Sequence, residues 1–129
     1  MSEKRDVLDY LTDIVAAIDA AQAFVAGMND AQFRADQRTV YAVTHALEIV
    51  GEAAKRIPDT VRGRYPTVPW RLMAGMRDRL IHGYNTVDLD VLWKTVTEDL
   101  PTTRPLVAEA LRQEHTAAGE PPDPPSPSA

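Results

Sequence analysis

Not one of the 129 residues is a cysteine, which removes disulfides, thiolate zinc sites and cysteine nucleophiles together. No apolar run is long enough to span a bilayer, because the longest, Ile14 to Gly27, is interrupted by Asp19 and Gln22. Met1 to Asp6 are polar and lack the apolar centre of a secretory signal, so the expected location is the cytoplasm, with no membrane partner. β-Type alternation and internal repeats are missing as well. What is present is a chain of about one domain's length, 44% hydrophobic and 26% charged, able to bury roughly two-thirds of its unfolded surface around one core. A second catalytic domain does not fit in that length.

Basic charge is also in deficit, with a formal net charge of -5, and alone this argues against a nucleic-acid partner. Its distribution argues the other way. Residues 1–54 carry four basic and nine acidic side chains, residues 55–82 seven and two, and residues 83–129 three and eight. Lys55, Arg56, Arg62, Arg64, Arg71, Arg77 and Arg79 thus form a positive belt between two acidic flanks. Charge alone fits an RNA-binding surface and a solvated, locally salt-bridged one equally well.

Helical periodicity organises the rest. Leu8, Leu11, Val15, Ile18 and Val25 predict a helix from about Asp6 to Ala26 with Gly27 as its stop. Asn29 or Asp30 can cap a short helix through Phe33, and Asp36 precedes Val40, Val43, Leu47, Val50 and Ala54, a second long helix that Pro58 closes. Gly51 lies inside that helix at a cost of about 1 kcal/mol relative to alanine, which suggests close approach of another backbone, within the chain or across a dimer. A turn at Val61 to Arg64 leads to a helix from Pro69 to about His82, ended by Gly83. Asp88 can cap the face Leu89, Leu92, Trp93 and Val96, after which Pro101 brings a kink or a fresh helix through Leu111. The expected fold is an all-α antiparallel bundle over residues 1–115, with 116–129 a disordered proline-rich tail.

Chemistry concentrates in Arg77 to Tyr84, where two arginines, a carboxylate, an imidazole and a phenol fall within eight positions. Asp78 and His82, four apart, share a helix face, so the carboxylate can orient the ring. Arg77 and His82 lie about 140° apart around an ideal helix, so one segment does not aim both at one atom, whereas two copies across a symmetric interface would. RNA cleavage without a metal requires a base for the ribose 2'-hydroxyl, an acid for the leaving oxygen and a cation for the phosphorane charge; histidine and arginine supply these. The same residues also fit a helix-end ion network with His82 as a favourable C-terminal cation.

The pattern Arg77-x4-His82-x-Tyr84, together with LEIVGEAAKRIP at Leu47 to Pro58 and RYPTVPWRLMAGMRDRL at Arg64 to Leu80, resembles the HepT-like branch of the HEPN superfamily across about residues 5 to 112. The resemblance implies a dimerising helical bundle whose facing Arg-x4-His motifs form a metal-independent ribonuclease site needing no cofactor. It also implies a toxin paired with a minimal nucleotidyltransferase antitoxin that transfers AMP to the motif tyrosine. Carried over by position, the roles are catalysis for Arg77 and His82, support for Asp78 and AMPylation for Tyr84; from the positive belt, Arg71 and Arg79 are expected to contact the RNA.

Two other functions suit the same residues: a non-catalytic nucleotide- or RNA-binding module, and a regulatory partner that presents Tyr84 to a nucleotidyltransferase. Elsewhere, His45 reads as a structural or interface residue and His115 as solvated. Glu48, Glu52 and Lys55 are spaced for salt bridges along one helix face, and Trp70 and Trp93 read as core or interface anchors.

Overall fold

The computed structural model describes residues 6–80 and 86–119. Helix α1 spans Val7–Val25, α2 Asp30–Ala35 and α3 Gln37–Lys55. Asp6 opens α1 by accepting from the Asp9 amide at 3.1 Å while the Asp9 carboxylate accepts from the Asp6 amide, so two of the helix's orphan donors are satisfied. Gly27, at φ +79°, turns the chain after α1. Asn29 and Gln32 repeat the reciprocal cap on α2, and Asp36 caps α3 by accepting from Thr39 at 3.1 Å.

The long helices α1 and α3 pack face to face, and α1 also carries α8, Leu100–Ala117. Leu11, Ile14 and Ile18 from α1, Val43, Leu47 and Val50 from α3, and Leu100, Val107 and Ala110 from α8 form the centre of a single buried core. The α3 stripe read from the sequence is the face the bundle buries; of the α1 stripe Leu11 and Ile18 are buried while Leu8, Val15 and Val25 are partly exposed, Ile14 taking the central place. The fold is the expected all-α bundle.

Between α3 and α8 the chain is laid out in short helices: α4 Asp59–Arg64, α5 Trp70–Ala74, α6 Met76–Leu80 and α7 Leu89–Lys94. The single helix expected from Pro69 onward is broken at Gly75, whose φ of -92° and ψ of 2° end α5 before α6 restarts. The break accompanies the approach foreseen at Gly51. A Cβ there would stand 3.3 Å from the Met73 carbonyl oxygen, 3.7 Å from that of Ala74 and 3.9 Å from the Arg77 amide nitrogen. The contact lies within the chain, so Gly51 carries no argument for a dimer.

Pro101 stands at the start of α8, Leu100–Ala117, so the fresh helix is the outcome, though it follows α7 through a π-helical turn and not a loop. Thr95–Asp99 form a π-helical turn in which the Leu100 amide donates to Thr95, and α8 continues with Pro101 in its first turn. Widening the helix ahead of the ring accommodates a residue that has no amide to donate. α8 runs to Ala117, two residues past the expected domain boundary.

One polar cluster ties the end of α8 to the connector before α5. The Glu114 carboxylate is mostly buried; it accepts from Arg64 Nη2 at 2.9 Å and Nε at 3.2 Å and from the Tyr65 hydroxyl. Tyr65 in turn offers its carbonyl to Trp70 Nε1 at 3.1 Å, which anchors the ring that the sequence marked as a core residue. Burial pushes the Glu114 carboxyl up, but the hydrogen bonds from Arg64 and Tyr65 outweigh it and hold the pKa below its ordinary 4.5.

Two outcomes follow from these contacts. Gly51→Val should cost about 2–3 kcal/mol, because branched carbons would press on a carbonyl that cannot swing away, whereas Gly51→Ala should cost less as its helix propensity offsets the tighter contact; urea denaturation reads both. The contribution of Glu114 should be whole above the ordinary carboxylate pKa and decline as pH falls through its depressed folded value. Glu114→Gln should therefore lower stability by about 1–2 kcal/mol at neutral pH and flatten the acid limb of a melting-temperature profile.

Candidate active site

Met76 and Leu80, four apart, are both buried, so α6 lies on the core along one face and leaves Arg77, Asp78 and Arg79 exposed. At 100° per residue Arg77 and Arg79 leave opposite flanks of the helix. Arg77 leans toward α3, its Nε 3.9 Å from Glu48 Oε2, with the Arg77 side chain 52% exposed. So loose and solvated a pair contributes at most about 1 kcal/mol and leaves the guanidinium available to another anion. Its position is set mainly by the backbone contact at Gly51, one turn along α3 from Glu48. Arg79 extends the other way. It makes a long 3.5 Å contact to the Leu72 carbonyl and borders a groove of about 470 Å³ lined by Asp88, Val91, Lys94, Thr95 and Asp99.

The positive belt proves to be of two kinds. Arg62 donates from Nη2 to the Ala54 carbonyl at 2.7 Å and from Nε to Ile57 at 3.0 Å, closing the C-terminal end of α3. Arg64 is committed to Glu114. Arg64 is exposed as well, its side chain 53% accessible, but is ion-paired; Lys55, Arg56, Arg71, Arg77 and Arg79 remain as exposed cations without so close a carboxylate, five where the sequence suggested seven. Of the other expected site residues, Asp78 is exposed on α6. His82, Tyr84 and the Asp78–His82 pairing lie outside the described residues, as does residues 120–129 of the tail. Among the described residues no three histidines or carboxylates are grouped so as to hold a metal.

Some assignments change. Glu48, Glu52 and Lys55 form no ion pairs with one another along α3; Glu48 instead reaches across to Arg77, because the break at Gly75 brings that guanidinium to its side. His115 is half-buried rather than solvated. His45 is exposed on α3, and Trp93 packs on Phe33 with ring centroids 5.1 Å apart. Two exposed apolar residues on α3, Tyr41 and Ile49, went unremarked in the sequence, where their helical positions outside the buried stripe were the available signal.

Residues 14–110 match the model of the family described as Ribonuclease HepT-like. A protein of Thermococcus cleftensis named "Probable ribonuclease HepT" is 48% identical over 101 residues, covering 78% of this chain and 92% of that protein. A "Putative RNase" of Methanocaldococcus jannaschii is 40% identical over 98 residues, 76% of this chain and 84% of its own length. Another of that description, from Caldanaerobacter subterraneus, is 35% identical over 105 residues, 81% and 94% of the two chains. No solved structure matches the chain significantly. The chain belongs to the HepT-like ribonuclease family, and among its described residues no helix is long and apolar enough to cross a membrane.

The division of the belt is directly measurable. Arg62→Ala should lower stability by about 1–2 kcal/mol by removing the side-chain donor to the Ile57 carbonyl and the second donor to Ala54, whereas Arg71→Ala should remain within about 0.5 kcal/mol of the parent in urea denaturation.

Proposed function

We propose that the chain is a metal-independent endoribonuclease toxin, active as a homodimer and neutralised by a nucleotidyltransferase antitoxin that AMPylates Tyr84. The observation that carries this reading is the exposure of Arg77 and Arg79 on opposite flanks of α6, immediately ahead of His82, in a chain of the HepT-like ribonuclease family.

The chemistry follows from these side chains. One His82 takes the proton of a ribose 2'-hydroxyl as O2' attacks the adjacent phosphorus. The bond from phosphorus to the 5'-oxygen breaks, and the second protomer's His82, entering protonated, gives that oxygen its proton. A 2',3'-cyclic phosphate and a 5'-hydroxyl result. Arg77 binds the phosphate and offsets the charge that develops on its oxygens, with Asp78 supporting the imidazole. Arg71 and Arg79 contact neighbouring phosphates. Tyr84 acts as a switch: a phenol with a pKa near 10 is a poor base at neutral pH, whereas AMP on its oxygen would pair with the arginines and repel the RNA backbone. The cytoplasm, where RNA is available, is the setting for this activity.

Cleavage of RNA should persist in EDTA and leave 2',3'-cyclic ends, and His82→Ala should reduce it about 10²-fold or more with helix content unchanged. Activity abolished by EDTA and restored by magnesium would reject the mechanism. Mixing Arg77→Ala with His82→Ala protomers should restore part of the activity if each half-site draws on both chains. Intact-mass and peptide analysis after co-expression with a cognate nucleotidyltransferase should place AMP on Tyr84 and find the modified protein inactive.

A further inference from the structure

We infer that the groove between α6 and α7 is a subsite for one RNA nucleotide beside the scissile phosphate, with Arg79 and Lys94 on its phosphate and Asp99 reading its base. The inference rests on the ribonuclease reading above and extends it from the reaction to the choice of sequence.

The groove holds about 470 Å³, room for a nucleotide and far more than a lone phosphate needs. Arg79 stands exposed on the α6 wall, its contact to the Leu72 carbonyl a long 3.5 Å. Lys94 and Asp99 stand on the other wall, the Lys94 side chain 63% exposed and its Nζ 3.2 Å from Asp99 Oδ1. Five residues apart, these two would diverge by about 140° on a regular α-helix. They meet because Thr95–Asp99 form a π-helical turn, an insertion that recurs at functional sites. The walls are joined at Asp88, whose amide donates to the Leu80 carbonyl at 2.8 Å and whose carboxylate accepts from the Val91 amide at 3.1 Å.

The charges in the groove select its occupant. An ammonium carries three donors, so the pair with Asp99 leaves Lys94 able to hold a phosphate together with Arg79. A second phosphate would meet the carboxylates of Asp88 and Asp99 and be repelled. An ionised carboxylate accepts hydrogen bonds and donates none, so the base set against Asp99 must offer N–H groups. Guanine offers two side by side, N1–H and the 2-amino group, whereas uracil offers one N3–H flanked by two carbonyls. Val91 supplies apolar surface for the ring. A helix with its side chains is about 10–12 Å across, and Arg77 and Arg79 leave α6 on opposite flanks. An extended strand with a phosphate on Arg77 therefore reaches the groove within a nucleotide or two.

Mapping the products from RNAs that differ at one position should show cutting beside guanosine favoured over uridine by about 10-fold, and Asp99→Asn should erase most of that preference. Lys94→Gln should raise KM about 5-fold, more than it lowers kcat, and Lys94→Arg should recover most of the loss. Single-stranded 2'-deoxy oligonucleotides lack the attacking hydroxyl and so occupy the full chain without reaction; the Lys94 and Thr95 amide signals should shift with guanine oligomers and far less with uracil ones. Circular dichroism checks the fold of each variant. Cleavage indifferent to guanosine, a preference that survives Asp99→Asn, or a KM unmoved by Lys94→Gln would overturn the inference. So would 5'-GMP shifting these amides when the oligomer does not, which assigns the groove to a free nucleotide. A chain that cleaves no RNA while the guanine oligomer fills the groove rejects the nuclease mechanism alone, and cleavage without guanosine preference rejects the subsite alone.

Discussion

The close approach of backbone to backbone at Gly51 organises this molecule. A Cβ there would stand 3.3 Å from the Met73 carbonyl oxygen, so glycine lets α5 and α6 lie this near α3 without pressing on their backbone. Everything the candidate site needs follows from that clearance. The chain breaks at Gly75, α6 turns Met76 and Leu80 into the core, and Arg77 emerges beside Glu48. The destabilising effect of a glycine inside a helix is offset by what its absence of bulk permits.

Arginine serves this protein in two ways that a count of charges does not distinguish. Arg62 and Arg64 are struts: the first donates to two backbone carbonyls and the second, though half exposed, is paired with a mostly buried carboxylate. Arg71, Arg77 and Arg79 face solvent and keep their field available to an anion. The number of phosphates one protomer can neutralise is therefore smaller than the sequence suggests, and its RNA affinity should fall less steeply with salt than seven free cations would dictate.

Much of the bundle was legible in the sequence because caps and periodicity agree locally. Asn29, one of two candidates, Asp36 and Asp88 cap the helices their positions suggested, Asp6 proves to cap α1, and the stripe of α3 is its buried face. What the sequence obscured depends on contacts between distant segments. Gly51 announced a close approach without saying which backbone approached. Glu48, Glu52 and Lys55 had spacing suited to pairing along their own helix, yet Glu48 was drawn to a residue 29 positions away. Arg62 and Arg64 looked like their neighbours until their acceptors, one of them 50 positions along the chain, were in view. The Arg-x4-His-x-Tyr pattern was recognisable only as a family likeness, since spacing alone fitted an ion network as well.

The clamp formed by Glu114, Arg64 and Tyr65 has a consequence for how the protein comes into being. It joins residues 50 positions apart, and the acceptor sits near the end of α8. A ribosome extrudes the chain from its N-terminus, so Arg64 and Tyr65 leave the tunnel well before the carboxylate that holds them. Until α8 has emerged and docked on α1, the connector leading to α5 lacks its tether to Glu114. Assembly of the centre therefore waits on the arrival of α8, 50 positions after Arg64 has left the tunnel.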